Sequence, residues 1–239
     1  MILRRKLGRD LTMHMIKPMN KFKITIKESF DPVEATSDVS GLSLFVFQDK
    51  DGISLIFYKT SRNFKKTGRV TVIGAIDLVK TFKPCIPDTL EVSTVYVIEK
   101  YRKKGYGSML YSIAFYYAGA RNHGLTSDHS SGTSDDARKI WDKIGNSPAF
   151  SKRATADGND EFDYDGSTPD QFDDCDDAYG EPVGIDHSLI LKDINALTPA
   201  FNKLVDSHDR NLTFIDNPDV FKSNLEQEAF KAFGKAYGE

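Results

Sequence analysis

The feature that most constrains the fold is one stretch, Thr94-Val-Tyr-Val-Ile-Glu-Lys-Tyr-Arg-Lys-Lys-Gly-Tyr-Gly-Ser-Met-Leu110. A β-rich run from Glu91 to Ile98 ends in a basic turn, and an amphipathic helix begins. The heart of the turn is Arg102-x-x-Gly105-x-Gly107. The first N–H groups of a helix have no intrahelical acceptor and carry the positive end of its dipole. Glycines let the backbone approach an anion without a Cβ in the way. Lys100, Arg102, Lys103 and Lys104 add positive potential beside it. The stretch therefore reads as a phosphate-binding strand–turn–helix. Its spacing is neither that of the Walker loop nor G-x-G-x-x-G, so an ATP cradle or dinucleotide fold is not supported.

The rest of the chain fits around this unit. Phe22 to Lys27 alternates as a strand, with Phe22, Ile24 and Ile26 on one face. Leu42–Gln48 and Ile53–Thr60 flank Asp49-Lys-Asp-Gly52 as a predicted hairpin. Arg69–Val79 is the next strand, and its Gly74 marks a bulge or a close backbone approach. Pro84-Cys-Ile-Pro87 is a loop. Ser108–Arg121 is predicted helical from Met109, Leu110, Ile113, Ala114, Tyr117 and Ala118. A second helix is expected to start at an N-cap Ser134 and stop at Gly145. Val183–Leu191 is a candidate last strand, and 195–239 reads as two helices divided near Asn217-Pro218. Strands followed by helices predict a mixed α/β (α+β) domain with a largely antiparallel sheet.

Composition excludes several classes. The 239 residues can bury a core without disulfides or metals. Cys85 and Cys175 are too few for a disulfide scaffold, and a reducing cytoplasm is the expected location. Met109 to Ala120 is the longest mostly apolar stretch and is too short to span a bilayer, so no membrane partner is expected. The basic N-terminus has no apolar core after it, so no secretory signal is expected. The net charge of −3 does not advertise nucleic acid. Charge is uneven, however. Residues 1–27 hold eight Lys or Arg against Asp10, whereas 157–181 hold eleven Asp or Glu and no Lys or Arg. The acidic stretch reads as a solvated loop.

The Arg102–Gly107 turn, in its place between an antiparallel-type strand series and an amphipathic helix, resembles that of the GNAT family of N-acetyltransferases. Ser134-Asp-Asp-Ala-Arg-Lys-Ile-Trp-Asp-Lys-Ile-Gly-Asn146 is similar, without gaps, to the family pattern Asn-x-x-Ala-x-x-Leu-Tyr-x-Lys-Leu-Gly-Phe. Ala137, Lys143 and Gly145 match it. Val72–Leu78 looks like the family's third strand. The resemblance covers about 53–146, with Val183–Leu191 as the final strand. It implies a GNAT-like sheet flanked by helices at 19–193, with an acidic insertion at 157–181. A basic extension at 1–18 and a helical extension at 194–239 lie outside this domain. It further implies acetyl-CoA as cosubstrate, its pyrophosphate held at Arg102, Lys103, Lys104, Gly105, Tyr106, Gly107 and Ser108. The pantetheine arm would pair with Val95, Tyr96 and Val97, and Ser134 and Trp141 would complete the cofactor side.

The sequence departs from the family in three places. Trp141 stands where a general-acid Tyr is common, and an indole N–H cannot protonate a thiolate. The fifth strand would be Leu125-Thr-Ser-Asp-His129, short and polar. The family's first two helices, which shape the acceptor site, are not evident between Lys27 and Leu42.

Acyl transfer to an amine needs a proton acceptor and a proton donor. Glu91 and Asp77, on neighbouring strands, are candidate bases or ordinary strand acids. Ser127 and Asp128, with His129, lie where the fifth strand meets the thioester; they are a proton relay or a hydrogen-bonding turn. Tyr96 is a candidate proton donor or a packed strand tyrosine. No G-x-S-x-G elbow is present, so a serine hydrolase is disfavoured. The histidines show no metal-ligand spacing, and Asp173–Asp177 lacks the Gly and terminal Glu of a calcium loop, so no metal is expected.

Three functions follow as expectations. The first is acetyl transfer from acetyl-CoA to a primary amine on a small molecule, peptide or protein, in a ternary complex. The acidic loop would favour a cationic acceptor. The second is a CoA-binding or interaction protein that has lost catalysis. The third, less favoured, is a nucleic-acid-directed acetyltransferase using the basic arm and the run Lys59, Arg62, Lys65, Lys66 and Arg69. The C-terminal helices are a candidate homodimer interface.

Overall fold

The computed structural model describes residues 29–48, 50, 52–80, 88–128, 134–153 and 188–237. The strand read at Phe22–Lys27, the N-terminal arm, His129 and the acidic segment 157–181 lie outside these residues.

Seven strands form one sheet: β1 (Ser43–Gln48), β2 (Ile53–Thr60), β3 (Val70–Lys80), β4 (Thr89–Val97), β5 (Gly124–Ser127), β6 (Phe150–Arg153) and β7 (Ser188–Leu191). Their order across the sheet is β1-β2-β3-β4-β5-β7-β6. Every described pairing is antiparallel except β4 with β5. The parallel pair is joined by the crossover helix α3 (Tyr106–Gly119), as such a pair requires. The other helices are α1 (Pro32–Ala35), α2 (Phe64–Thr67), α4 (Asp135–Gly145), α5 (Thr198–Leu212) and α6 (Pro218–Tyr237). None of the described helices is long and apolar enough to cross a membrane.

The hairpin strands, the strands predicted at Arg69–Val79 and Glu91–Ile98 and the two C-terminal helices fall where the sequence predicts, and the predicted last strand is described from Ser188 to Leu191. Three differences have physical causes. The helix after the turn starts at Tyr106 rather than Ser108, because the left-handed Gly105 (φ 83°) turns the chain directly into it while the apolar periodicity begins only at Met109. Among the described residues before Leu42 the only helix is α1, a single turn capped by Asp31, whose carboxylate accepts from the Val33 and Glu34 amides at 2.8 and 3.1 Å. The sequence reading missed β6 altogether, since it is four residues long and exists by pairing with β7.

Each face of the sheet has its own core. On one face α3 is buried nearly all round, against Leu55, Phe57, Ile76, Leu78, Leu90 and Val92. On the other face Phe221, Leu225 and Ala229 recur every four residues along α6 and pack on Phe45, Ile56, Tyr58, Val72 and Ala75. Burial of Leu225, 1% exposed, contributes about 1.5–3 kcal/mol. Helix α5 lies against β1. There the Tyr58 hydroxyl is 2.9 Å from Nδ1 of His208, and the Asn211 amide donates to Ser43 and Tyr58. The C-terminal helices are thus fastened to the sheet by both apolar and polar contacts.

Candidate functional site

The parallel ladder between β4 and β5 runs from Thr89↔Gly124 to Val92↔Ser127 and stops there. Strand β4 continues for five more residues, Ser93–Val97, still paired with β3. The two central strands therefore part after Val92. At the same level β4 carries a bulge: Asp77 pairs with Thr94 and Leu78 with Val92, so Ser93 is the extra residue. Beyond the bulge Val95 and Val97 pack toward α3, and Tyr96 packs into the core under α6.

The basic turn follows directly. A 3₁₀ turn at Glu99–Tyr101 leads into Arg102, and both Lys103 (φ 58°) and Gly105 (φ 83°) are left-handed. Such alternation aims successive backbone N–H groups into one concavity. The first bond that closes α3 is Met109 N–H to the Gly105 carbonyl, and no side chain caps the helix. A Cβ added at Gly105 or Gly107 would meet nothing within 4 Å. The start of α3 thus has no side-chain cap and leaves room beside both glycines, which fits a phosphate group.

The cations are held in different ways. Arg102 Nε donates to the Val97 carbonyl at 3.0 Å, and its guanidinium lies 5.6 Å from the Tyr96 ring centroid, which ties the turn to the end of β4. Lys100 and Lys104 lie 4.9 and 5.6 Å from the Tyr101 ring. Lys59 of β2, which the sequence assigns only to a basic run, donates to the Tyr106 hydroxyl at 2.9 Å. Gly74 sits beneath this end of β4, and a Cβ there would collide with the Tyr96 carbonyl and lie 3.1 Å from Cα of Val97.

The remaining sequence-selected residues fall into three places. Ser134 caps α4, its Oγ accepting from the Ala137 amide at 3.4 Å. Trp141 is 3% exposed and packs edge-on to Tyr111 and Phe115, at 5.4 and 6.1 Å between ring centroids. Glu91 of β4, Ser127 of β5 and the following Asp128 lie along the chain near the point where β4 and β5 part, with Glu91 and Ser127 on opposite faces of the sheet. Glu91 is opposite Thr126 in the paired section and is 8% exposed; Ser127 ends β5 fully buried, and Asp128 is 7% exposed. Tyr96 is on the same strand as Glu91, past the bulge. The sequence offers Asp77 as a candidate base or an ordinary strand acid, but does not show its partner: Ser54 of β2 donates to Asp77 Oδ1 at 2.5 Å. Burial pushes the Asp77 carboxyl above the ordinary carboxylate range, and the Ser54 bond only partly offsets this. Among the described residues, no group of three or more His, Cys, Asp or Glu side chains is placed to hold a metal ion.

No curated protein matches the chain. Residues 32–145 match the acetyltransferase (GNAT) family. The matched stretch begins at α1 and ends with α4, so it contains the parting strands, the uncapped helix and the bulge. The open, mostly antiparallel sheet with one parallel pair at its centre agrees with that match, and residues 32–145 form an acetyltransferase (GNAT) family domain.

Proposed function

We propose that this protein is an N-acetyltransferase, acting in the cytoplasm, that passes the acetyl group of acetyl-CoA directly to a primary amine in a ternary complex. The observation that carries this reading is the uncapped, open-faced start of α3 at the end of the strand that parts from its parallel neighbour. Acetyl-CoA supplies the activated acyl group. The amides of Gly105–Ser108 hold its pyrophosphate, with Lys103 and Lys104 adding charge. The Val95–Val97 backbone lies along its pantetheine arm and offers an N–H to the thioester carbonyl. The amine comes from the sheet face opposite α3. Its nitrogen bonds to the acetyl carbon, the carbon–sulfur bond breaks with its electron pair going to sulfur, and the amine proton leaves to a carboxylate on that face. Glu91 and Asp128 bring negative charge to this region, with Ser127 next to Asp128 in the chain, and Tyr96 is the proton donor nearest the parting strands. The acidic segment 157–181 favours a cationic acceptor.

A second reading, binding of CoA without turnover, is favoured by Trp141. Its indole fills the core where the family pattern has a tyrosine, so a proton for the departing thiolate must come from elsewhere.

Calorimetric titration with acetyl-CoA, and separately with CoA, tests the cofactor site. Micromolar binding of both is expected. Thiol release with lysine peptides, spermidine and simple primary amines then separates the two readings: turnover supports transfer, and binding without turnover supports the second. Binding of neither cofactor refutes both.

A further inference from the structure

We propose that Asp77, oriented by Ser54, is the group that takes the proton from the acceptor amine. This assignment rests on the acyl-transfer reading above.

The case is geometric. Phe47, Ser54, Asp77 and Thr94 form one cross-strand row over β1 to β4. The row lies on the face opposite α3, since Phe47 packs into the α6 core while Ile76 and Leu78, on either side of Asp77, pack toward α3. Along β3, Ala75 is the last side chain under α6, and Asp77 is the next on that face. Its partner Thr94 is the first residue after the Ser93 bulge, on the part of β4 that has left β5. Neighbouring strands are about 4.8 Å apart. An amine lying over Thr94 is therefore one strand from the slot between β4 and β5 and one strand from Asp77. Glu91 lies behind this point, in the section still paired with β5.

The chemistry of the row fits. Ser54 occupies Oδ1 and fixes the carboxylate plane, which leaves Oδ2 toward the acceptor. Ser54 of β2 and Thr94 of β4 flank Asp77 in the row, and Glu91 of β4 stands opposite Val79. Among the described residues no cation pairs with it. A half-buried carboxylate without a cation is a better base than an exposed one. In the step, one N–H bond of the ammonium breaks and an O–H bond forms on Oδ2, directly or through one water. The electron pair stays on nitrogen, which then bonds to the acetyl carbon. Ser54 is a positioning residue.

The test uses the full chain. Asp77→Asn is expected to bind acetyl-CoA within threefold of wild type by calorimetry. With a primary amine at saturation its kcat falls about 100-fold or more, KM shifts much less, and the acid limb of the kcat profile disappears. Ser54→Ala removes a bond that favours the charged carboxylate, so its acid limb moves to higher pH. A readout without any cosubstrate accompanies these. The folded-state carboxyl titrates above its unfolded value, so its contribution to stability is full in acid and is lost as pH rises through the folded value. Asp77→Asn therefore gains stability over wild type as pH rises from the acid range to neutrality. An Asp77→Asn enzyme within threefold of wild-type kcat, with the acid limb in place, overturns the assignment. So does a stability difference that does not change with pH. Wild-type protein that binds acetyl-CoA yet acetylates no amine refutes the acyl-transfer reading, and the assignment falls with it.

Discussion

Gly107→Glu separates the anion-site argument from trivial damage, because stability and binding should move in opposite directions. A Cβ at position 107 meets nothing within 4 Å, and the residue lies in the first turn of α3, outside the left-handed region. The fold therefore accommodates the side chain. Replacing a helical glycine contributes about 0.5 kcal/mol, and an acid in the first turn adds about 0.3–1 kcal/mol through the helix dipole. The total, about 1 kcal/mol, corresponds to a rise in Tm of about 2–4 °C for a chain of this size. A cofactor pyrophosphate at the same amides would lie about 4 Å from the new carboxylate. One pair of like charges at that distance costs about 4 kcal/mol at an effective dielectric of 20, and about half survives screening at a surface site. About 2 kcal/mol is roughly a 30-fold loss of acetyl-CoA affinity. Gly105 is a poorer probe, since its φ of 83° would strain any side chain whatever the ligand does. The assays are thermal melting and calorimetric titration at one ionic strength. A Gly107→Glu protein with an unchanged or raised Tm that binds acetyl-CoA within threefold of wild type would show that the anion does not sit at these amides.

Three further outcomes follow from packing. Gly74→Ala should push β4 away from β3 where the chain carries Tyr96 and Val97, costing about 1–3 kcal/mol and weakening acetyl-CoA binding as well; a neutral effect on both in melting and titration would contradict the close approach. Leu225→Ala should cost about 2–5 kcal/mol in urea unfolding, and a cost under 1 kcal/mol would mean that α6 is not seated on the sheet. Burial holds the His208 imidazole below its ordinary titration, so its contribution is full above pH 6.5 and is lost as pH falls through the lowered folded value. Stability should drop in mild acid for wild type and drop less for His208→Gln; equal slopes would refute that.

The legible parts of the fold are those whose signal is local. The hairpin, β3, β4 and α3 each carry their own periodicity, and Ser134 announces α4 by its side-chain chemistry. What was not legible depends on partners far along the chain. The four residues of β6 have no pattern of their own and are a strand because β7 lies beside them. Helix α6 shows its apolar stripe at Phe221, Leu225 and Ala229, but a stripe does not say which surface it will cover. Here it is the sheet face opposite α3.

The candidate site divides along the same line. The half proposed to hold the anion is one continuous stretch, β4 through the first turn of α3, and rests mostly on backbone geometry. The motif Arg102-x-x-Gly105-x-Gly107 that suggests it is therefore legible in one stretch of sequence. The half proposed to move the proton is assembled across strands. Ser54 and Asp77 are 23 residues apart and meet because β2 and β3 pair in one register. A slip of one residue would send Asp77 to the α3 face and turn Ile76 and Leu78 away from it. The Ser93 bulge has the same kind of control over β4. Were Ser93 paired in a regular ladder instead of bulged, the alternation from Val92 would put Thr94 under α3 and Val95 on the opposite face. A sequence can nominate Asp77 and Glu91 as strand acids. Only the register shows that one of them lies on the far side of the bulge, where the strands have opened.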